Sequence, residues 1–292
     1  MYDVIIVGKG PAGISAALYT TRANLSTLVI AKGYSEVAKA EKIENYYGFP
    51  EPVSGKELIE NGIRQAERLG AVIVEDEVIS LKKNGHYTVV ASKDSYEATA
   101  VVLATGQVWK KTRIENLSSF EGKGVAYCST CDGFFYRDLA IGVLGNRDYA
   151  AHEAAELENY SKNITLFTNG QEIQISEKYI KNLEGYKINR KKIVKLDGDE
   201  FLEKIIFDDG TEEKIDGLFV AFGSASSTDF AKQLGVITDG DTIVTDGNMM
   251  TNLEGLFAAG DCTGGLKQIA GAVGKGALAG KKIIDYLRNK KI

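Results

Sequence analysis

The sequence is poor in proline, cysteine and histidine, with 3, 3 and 2 residues respectively. So few prolines beside 32 glycines indicate many tight turns and little rigid linker. Three cysteines are too few for the disulfide framework of a small secreted domain. The histidines, His86 and His152, lack the spacing of a shared metal site. No apolar run approaches the roughly 20 residues needed to cross a bilayer. The N-terminal stretch MYDVIIVGKG has a short apolar run without a basic start or a cleavage signal. It reads as a first strand rather than a signal peptide, so a cytoplasmic location away from membranes is expected. The net charge of −5 argues against nucleic acid as the main partner.

What remains is an ordinary globular balance, 44% hydrophobic and 26% charged over 292 residues. That length allows one large domain or two smaller ones, each able to bury a core. Short apolar strands alternate with helical patterns: YDVIIVG, GISAALYTTRAN and STLVIAK form one βαβ unit. After Val125 the pattern restarts with LAIGVLG, DYAAHEAAELENYS and NITLFTNG. The segment from residue 200 to 223 reads as hairpin-like strands, and a closing GLFAAGD strand precedes a long helical stretch. These observations predict an α/β protein with two Rossmann-like dinucleotide-binding domains, each with a parallel central sheet. The closing segment completes the first domain, so the second is inserted into it. The expected boundaries are 1–113 with 243–292 for the outer domain and 114–242 for the insert.

Gly8-Lys9-Gly10-Pro11-Ala12-Gly13 fits G-x-G-x-x-G between a strand and a helix. Glycines there permit a tight turn and close approach of the backbone to a pyrophosphate, which the helix N-terminus then faces. The acidic residue that usually ends the second strand of such a unit is missing, since Ala31 and Lys32 stand there. The adenosine end is therefore expected to be held by backbone groups and Lys32. Two further stretches, Leu103-Ala104-Thr105-Gly106 and GLFAAGD ending at Asp261, resemble the second and third signatures of flavoproteins with two dinucleotide-binding domains. That resemblance implies FAD, with Asp261 on its ribitol. Asp261 also fits a helix N-cap.

Cys128 and Cys131 form a Cys-x-x-Cys pair followed by Asp132. Two thiols at this spacing can close a small disulfide ring and reduce a partner through a mixed disulfide, with a nearby acid protonating the leaving thiolate. Zinc is the competing reading, but it needs four ligands and no second pair exists. No metal is expected, and Cys262 reads as a small apolar packing residue. CSTCDG after a flavin-binding first half resembles the low-molecular-weight thioredoxin reductases, whose motif is Cys-Ala-Thr-Cys-Asp-Gly. The resemblance implies that Cys131 exchanges electrons with the flavin, that Cys128 attacks thioredoxin, and that Asp132 is the acid. It also places Asn45 against FAD, Val78 beside the adenine, and Lys267, Gln268 and Ile269 beside the flavin. A homodimer is implied by the resemblance alone.

The second turn departs from that family. Where the family has Gly-Gly-Gly-Asp/Asn-Ser/Thr-Ala, this chain has Gly145-Asn146-Arg147-Asp148-Tyr149-Ala150. The family's His-Arg-Arg, whose arginines hold the 2′-phosphate of NADPH, is replaced by Thr168-Asn169-Gly170. Its Gly-x-x-Pro-Asn becomes Gly223-Ser224-Ala225-Ser226-Ser227. No NADPH is therefore expected. The chain looks like the ferredoxin-dependent flavin thioredoxin reductases, with electrons passing from reduced ferredoxin through FAD and Cys128–Cys131 to thioredoxin. Both flavin and thioredoxin must reach the dithiol, which implies two domain orientations. Lys110, Lys111 and Arg113, or Arg288, Lys290 and Lys291, are candidate docking groups for an acidic ferredoxin. The alternatives are an NADPH-dependent reductase, an oxygen-dependent dithiol oxidase and a flavin redox sensor.

Overall fold

The computed structural model describes residues 1–106, 114–127, 129–183, 185–223 and 225–290. The chain forms two units, Met1–Val108 with Ser226–Ile292, and Trp109–Ala225. In chain order the first begins β1 (Tyr2–Val7), α1 (Pro11–Arg22), β2 (Thr27–Ala31), α2 (Gly55–Arg68), β3 (Val72–Glu75), β4 (Val78–Asn84), β5 (His86–Ala91) and β6 (Ser95–Leu103). The second contains β7 (Val125–Ala126), α3 (Ser129–Asp132), β8 (Ile141–Leu144), α4 (Asp148–Leu157), β9 (Ile164–Phe167), α5 (Glu177–Ile180), β10 (Lys187–Asn189), β11 (Ile193–Asp197), β12 (Lys204–Phe207), β13 (Glu212–Lys214) and β14 (Gly217–Val220). The chain returns to the first unit with α6 (Ser227–Gln233), β15 (Thr238–Asp239), β16 (Thr242–Ile243), β17 (Leu256–Ala258) and α7 (Ile269–Lys290).

In the first unit β3, β2, β1 and β6 run parallel in that order. Residues 4–7 of β1 are buried, as a strand covered on both faces must be, and the sequence there is a continuous apolar run. β17 adds in parallel beside Val101–Leu103 of β6, which completes the sheet with the last part of the chain. The other half of β6 pairs antiparallel with β5 of the β4–β5 hairpin. That hairpin was not expected, although Asn84-Gly85 is a hairpin-turn dipeptide and Gly85 takes a positive φ of 74°. α1 and α7 share one core with β1 and β6 through Ala12, Ala16, Ala279 and Ile283. Their approach is close because a Cβ on Gly276 would be driven into the Ala12 carbonyl.

In the second unit β10, β9, β8, β14 and β7 form a parallel sheet. An antiparallel β11–β12–β13 sheet packs Ile193, Leu196, Ile205 and Phe207 into the same core as Leu144, Phe167 and Leu218. The return to the first unit comes at residue 226, ahead of the expected 243. The reason is local: Ser226 caps α6 through a reciprocal bond with Asp229, and Ser227 bonds to Thr105 where the chain leaves this unit. Thr228 then donates to the Asp241 carbonyl, tying α6 to the β15–β16 ribbon.

Candidate functional site

The first βα turn lies between β1 and α1. Gly8 sits at φ 113°, and a Cβ there would collide with the Ala104 carbonyl. A Cβ on Gly13 would collide with the Gly8 carbonyl. The turn is thus folded onto itself and onto the strand end carrying Ala104, Thr105 and Gly106. Gly10 is the N-cap of α1 in extended conformation and offers no side-chain cap, Pro11 opens the helix, and no acid stands in its first turn. By helix geometry the N–H groups of Ala12 and Gly13 lack intrahelical acceptors and point toward the N-terminal end. This is the arrangement that binds a pyrophosphate.

Several expected residues come together around it. Asn45 Nδ2 donates to Gln268 Oε1 at 3.0 Å, although the two lie far apart in sequence. Gln268 and Lys267 immediately precede α7, and Ile269 opens it. The 22-residue helix therefore aims its positive end at this corner. Asp261 opens a single 3₁₀ turn after Gly260. Lys275 was missed in the sequence; its ammonium bonds the Gly264 carbonyl and the Thr263 hydroxyl, clasping the turn that carries Asp261. Ser227 had been read as part of the second nucleotide site. It instead accepts from Thr105 N at 3.1 Å, and its own N–H donates to Thr105 Oγ1 at 2.8 Å. Cys262 is buried, and burial pushes its thiol up to about 11, which fits packing and not thiolate chemistry.

Acids of neighbouring strands surround the end of β2, where the adenosine is expected. Lys32 does not stand alone, because its ammonium pairs with the buried carboxylate of Glu77, which immediately precedes Val78 at the head of β4. An acid of the neighbouring strand stands beside Ala31. Glu75 ends β3 in register with Ala31, accepts from the Gly33 N–H, and pairs with Lys9. Partial burial works against its charge, but Lys9 and the Gly33 N–H outweigh it and hold the carboxyl below its ordinary value. The signal was present as the acidic run Glu75-Asp76-Glu77, but only strand register shows that it lies beside Ala31.

Of the dithiol segment, Cys128 and the side chain of Cys131 lie outside the described residues. Ser129–Asp132 forms α3, and Gly133–Tyr136 continues as a 3₁₀ turn. Asp132 is half-buried. Burial first, and Asp132 second, push the Tyr136 hydroxyl above its ordinary value. Phe134 and Phe135, directly after the motif, are 61% and 74% exposed. Among the described residues no group of His, Cys, Asp or Glu is placed to hold a metal ion. Nor is any helix among them long and apolar enough to cross a membrane.

The second βα turn, between β8 and α4, keeps the first turn's tight fold: a Cβ on Gly145 would strike the Ala221 carbonyl. Its face is covered by the chain itself. Asn146 is buried, and its Nδ2 donates to the Glu172 carbonyl at 2.7 Å. The Gln174 N–H donates to the Asn146 carbonyl at 2.8 Å. Asp148, in the first turn of α4, accepts from the Ser176 N–H at 2.7 Å. Arg147, the N-cap, pairs its backbone with Gln174. Thr168 is buried, and Asn169 Oδ1 accepts from the Ile193 N–H at 2.7 Å.

A glycine cradle at a helix N-terminus without a competing acid, next to the Thr105 and Asp261 turns, fits a dinucleotide such as FAD in the first unit. That site and the two-unit α/β fold define a class of disulfide oxidoreductase. The chain matches the pyridine nucleotide-disulphide oxidoreductase family over residues 2–276 and belongs to it. It is 33% identical to a thioredoxin reductase of Aquifex aeolicus (strain VF5), across all of this chain and 95% of that protein. It is 32% identical to one of Peptoclostridium acidaminophilum, across 98% and 97%. Among solved structures, an atypical thioredoxin reductase from Desulfovibrio vulgaris Hildenborough is 42% identical with a TM-score of 0.94, covering 99% of each chain. A ferredoxin-flavin thioredoxin reductase from Clostridium acetobutylicum is 29% identical with a TM-score of 0.71, covering 99% of this chain and 98% of that one.

Proposed function

We propose that this chain is an FAD-dependent thioredoxin reductase that draws electrons from a reduced ferredoxin and not from NADPH. The observation that carries the reading is the second βα turn. Asn146 and Arg147, which stand where the family's turn has two glycines, are bonded to residues 172 and 174 of the chain itself. The names of the full-length relatives support thioredoxin as substrate. A ferredoxin-flavin neighbour supports the donor.

FAD, when bound, would supply a carrier that takes electrons singly and delivers them in pairs. Gly8, Gly10, Pro11, Ala12 and Gly13 would face its pyrophosphate. Ala104, Thr105, Gly106, Asp261, Asn45, Lys267, Gln268 and Ile269 would border the rest, with Lys32 and Val78 at the adenosine end. In the dithiol step the Cys128 thiolate attacks one sulfur of the thioredoxin disulfide. That forms a mixed disulfide and releases the other sulfur, which Asp132 protonates. Cys131 then attacks the Cys128 sulfur and breaks its bond to thioredoxin, and the proton Cys131 loses passes to the sulfur that leaves, so Cys128–Cys131 re-forms and thioredoxin holds two thiols. The exposed Phe134 and Phe135 provide an apolar landing for that partner. A cytoplasmic homodimer belongs to the same reading. Of the candidate ferredoxin-docking groups, Lys110, Lys111, Arg113 and Lys291 lie outside the described residues, Arg288 is exposed, and Lys290 bonds the Tyr286 hydroxyl.

The family's own description favours a second reading, a pyridine nucleotide-dependent reductase. Anaerobic stopped-flow separates the two, comparing flavin bleaching by reduced ferredoxin, NADPH and NADH, with thioredoxin thiols as the product readout. Fast bleaching by NADPH would overturn the proposal. Cys128→Ser should keep flavin reduction and abolish thioredoxin reduction; persistent turnover would refute the assigned dithiol roles.

A further inference from the structure

We infer that Lys275 is a positioning residue for the flavin cofactor: its ammonium ties together the two glycines that flank the Asp261 turn and so fixes where that carboxylate stands relative to the phosphate turn. The inference rests on the reading of Asp261 as a ligand of the FAD ribitol. Asp261 opens the 3₁₀ turn Asp261–Thr263, with Gly260 as its N-cap and Gly264 as its C-cap. Asp261 is therefore not the cap, and its side chain is free of that duty. Its direction depends on the path of the turn's backbone. Gly260 and Gly264 sit at φ 91° and 69°, in the region that favours glycine. Glycine at both ends leaves such a path loose unless something else holds it.

Lys275 supplies the hold. Its Nζ donates to the Gly260 carbonyl at 3.4 Å, to the Thr263 hydroxyl at 2.9 Å and to the Gly264 carbonyl. The Thr263 hydroxyl in turn donates to the Gly260 carbonyl at 2.8 Å. The ammonium thus spans both ends of the turn and commits its three protons there. It acts on a cofactor through Asp261 and not by direct contact. Lys275 is also anchored to the phosphate turn. It lies in the second turn of α7, and the next residue, Gly276, is pressed against the Ala12 carbonyl so closely that a Cβ would collide with it. A Cβ on Gly260 would come within 2.9 Å of the Ala12 Cβ. Ala12, Gly260 and Lys275 are therefore packed as one piece. That piece joins the N-terminus of α1 to the turn carrying Asp261. A ligand held at its pyrophosphate and its ribitol binds more tightly when the spacing of the two holds is set beforehand, because less ordering remains to be done on binding.

The test titrates full-length apoprotein, prepared from the holoenzyme, with FAD and with ADP, which carries the adenosine and pyrophosphate of FAD without the ribitol. Flavin fluorescence quenching reads the first and calorimetry the second. Lys275→Met keeps the aliphatic stem and removes the ammonium. It should weaken FAD binding about tenfold, the scale of a lost charged hydrogen bond, and leave ADP binding unchanged. Asp261→Asn should weaken FAD by a similar factor. The double variant should bind FAD no more weakly than the worse single variant, because the two residues act as a unit. Unchanged FAD binding in the Met variant, equal losses of FAD and ADP, or a double-variant loss equal to the product of the single losses would overturn the inference. The last two outcomes would leave Lys275 a plain structural clamp. Should ADP bind too weakly to titrate, the double variant decides. If the Met variant does not fold by circular dichroism, Thr263→Val takes its place. It should weaken FAD about threefold and spare ADP, and no loss, or a loss shared by ADP, would overturn the inference. Wild-type apoprotein that takes up no FAD would bring down the cofactor reading itself, a result distinct from all of these.

Discussion

The two βα turns, Gly8–Gly13 and Gly145–Ala150, are built alike and finished differently. Each follows a buried parallel strand, and each contains a glycine whose Cβ would strike a carbonyl. At the first, the N-terminal turn of α1 holds no acid and no side-chain cap. At the second, Asp148 takes up the Ser176 N–H and Asn146 reaches the Glu172 carbonyl. The departures at Asn146 and Arg147 are therefore not isolated drift, since they pair with residues 172 and 174, while Asp148, which the family pattern shares, bonds Ser176. A nucleotide fold can keep its strand–turn–helix scaffold, which its own core requires, while the residues of its turn bond to another segment of the chain.

The strongest test of that contrast pairs two substitutions. Gly13→Ala should cost about 3 kcal/mol, the upper range for forced overpacking, and yield protein stripped of flavin. Gly145→Ala should destabilise the second unit by a similar amount while the flavin-to-protein absorbance ratio stays at the wild-type value. Flavin loss in the second variant would break the comparison. A smaller effect is expected from Asp148→Ala, about 1–2 kcal/mol in urea unfolding, from the loss of a carboxylate at a helix N-terminus and its bond to Ser176. NADPH binding by calorimetry is expected for neither wild type nor this variant; binding by the wild type would overturn the proposed donor. The smallest change is Ser227→Ala, about 1 kcal/mol from the bonds to Thr105. Thermal unfolding should register it without any change in flavin content.

Much of this was readable along the chain. The apolar run of β1, the glycine turn and the helix after it are neighbours in sequence, so periodicity and turn chemistry alone predict them. The same holds for the second unit and for the strand that closes the first. Ser227 was not readable. It follows the second unit's last strand in sequence, yet its hydrogen bonds attach it to Thr105, more than a hundred residues earlier. The run Glu75-Asp76-Glu77 shows no role along the chain; strand register sets Glu75 beside Ala31, and Glu77 pairs with Lys32 across strands. Glu153 reads as one of several acids in an amphipathic helix, and only its 3.0 Å bond to Ser129 marks it.

By itself the sequence determined the class of fold, the order of the two nucleotide-type units and the candidate dithiol. These depend on local spacing: which residues repeat at strand or helix period, and where glycine permits a turn. Tertiary structure alone decided which βα turn bonds to a distant segment of the chain, where the chain returns to its first unit, and which buried carboxylate accepts from the Ser129 N–H. Those depend on hydrogen bonds between residues distant in sequence, and a buried donor or acceptor finds its partner only when the sheets have set their register.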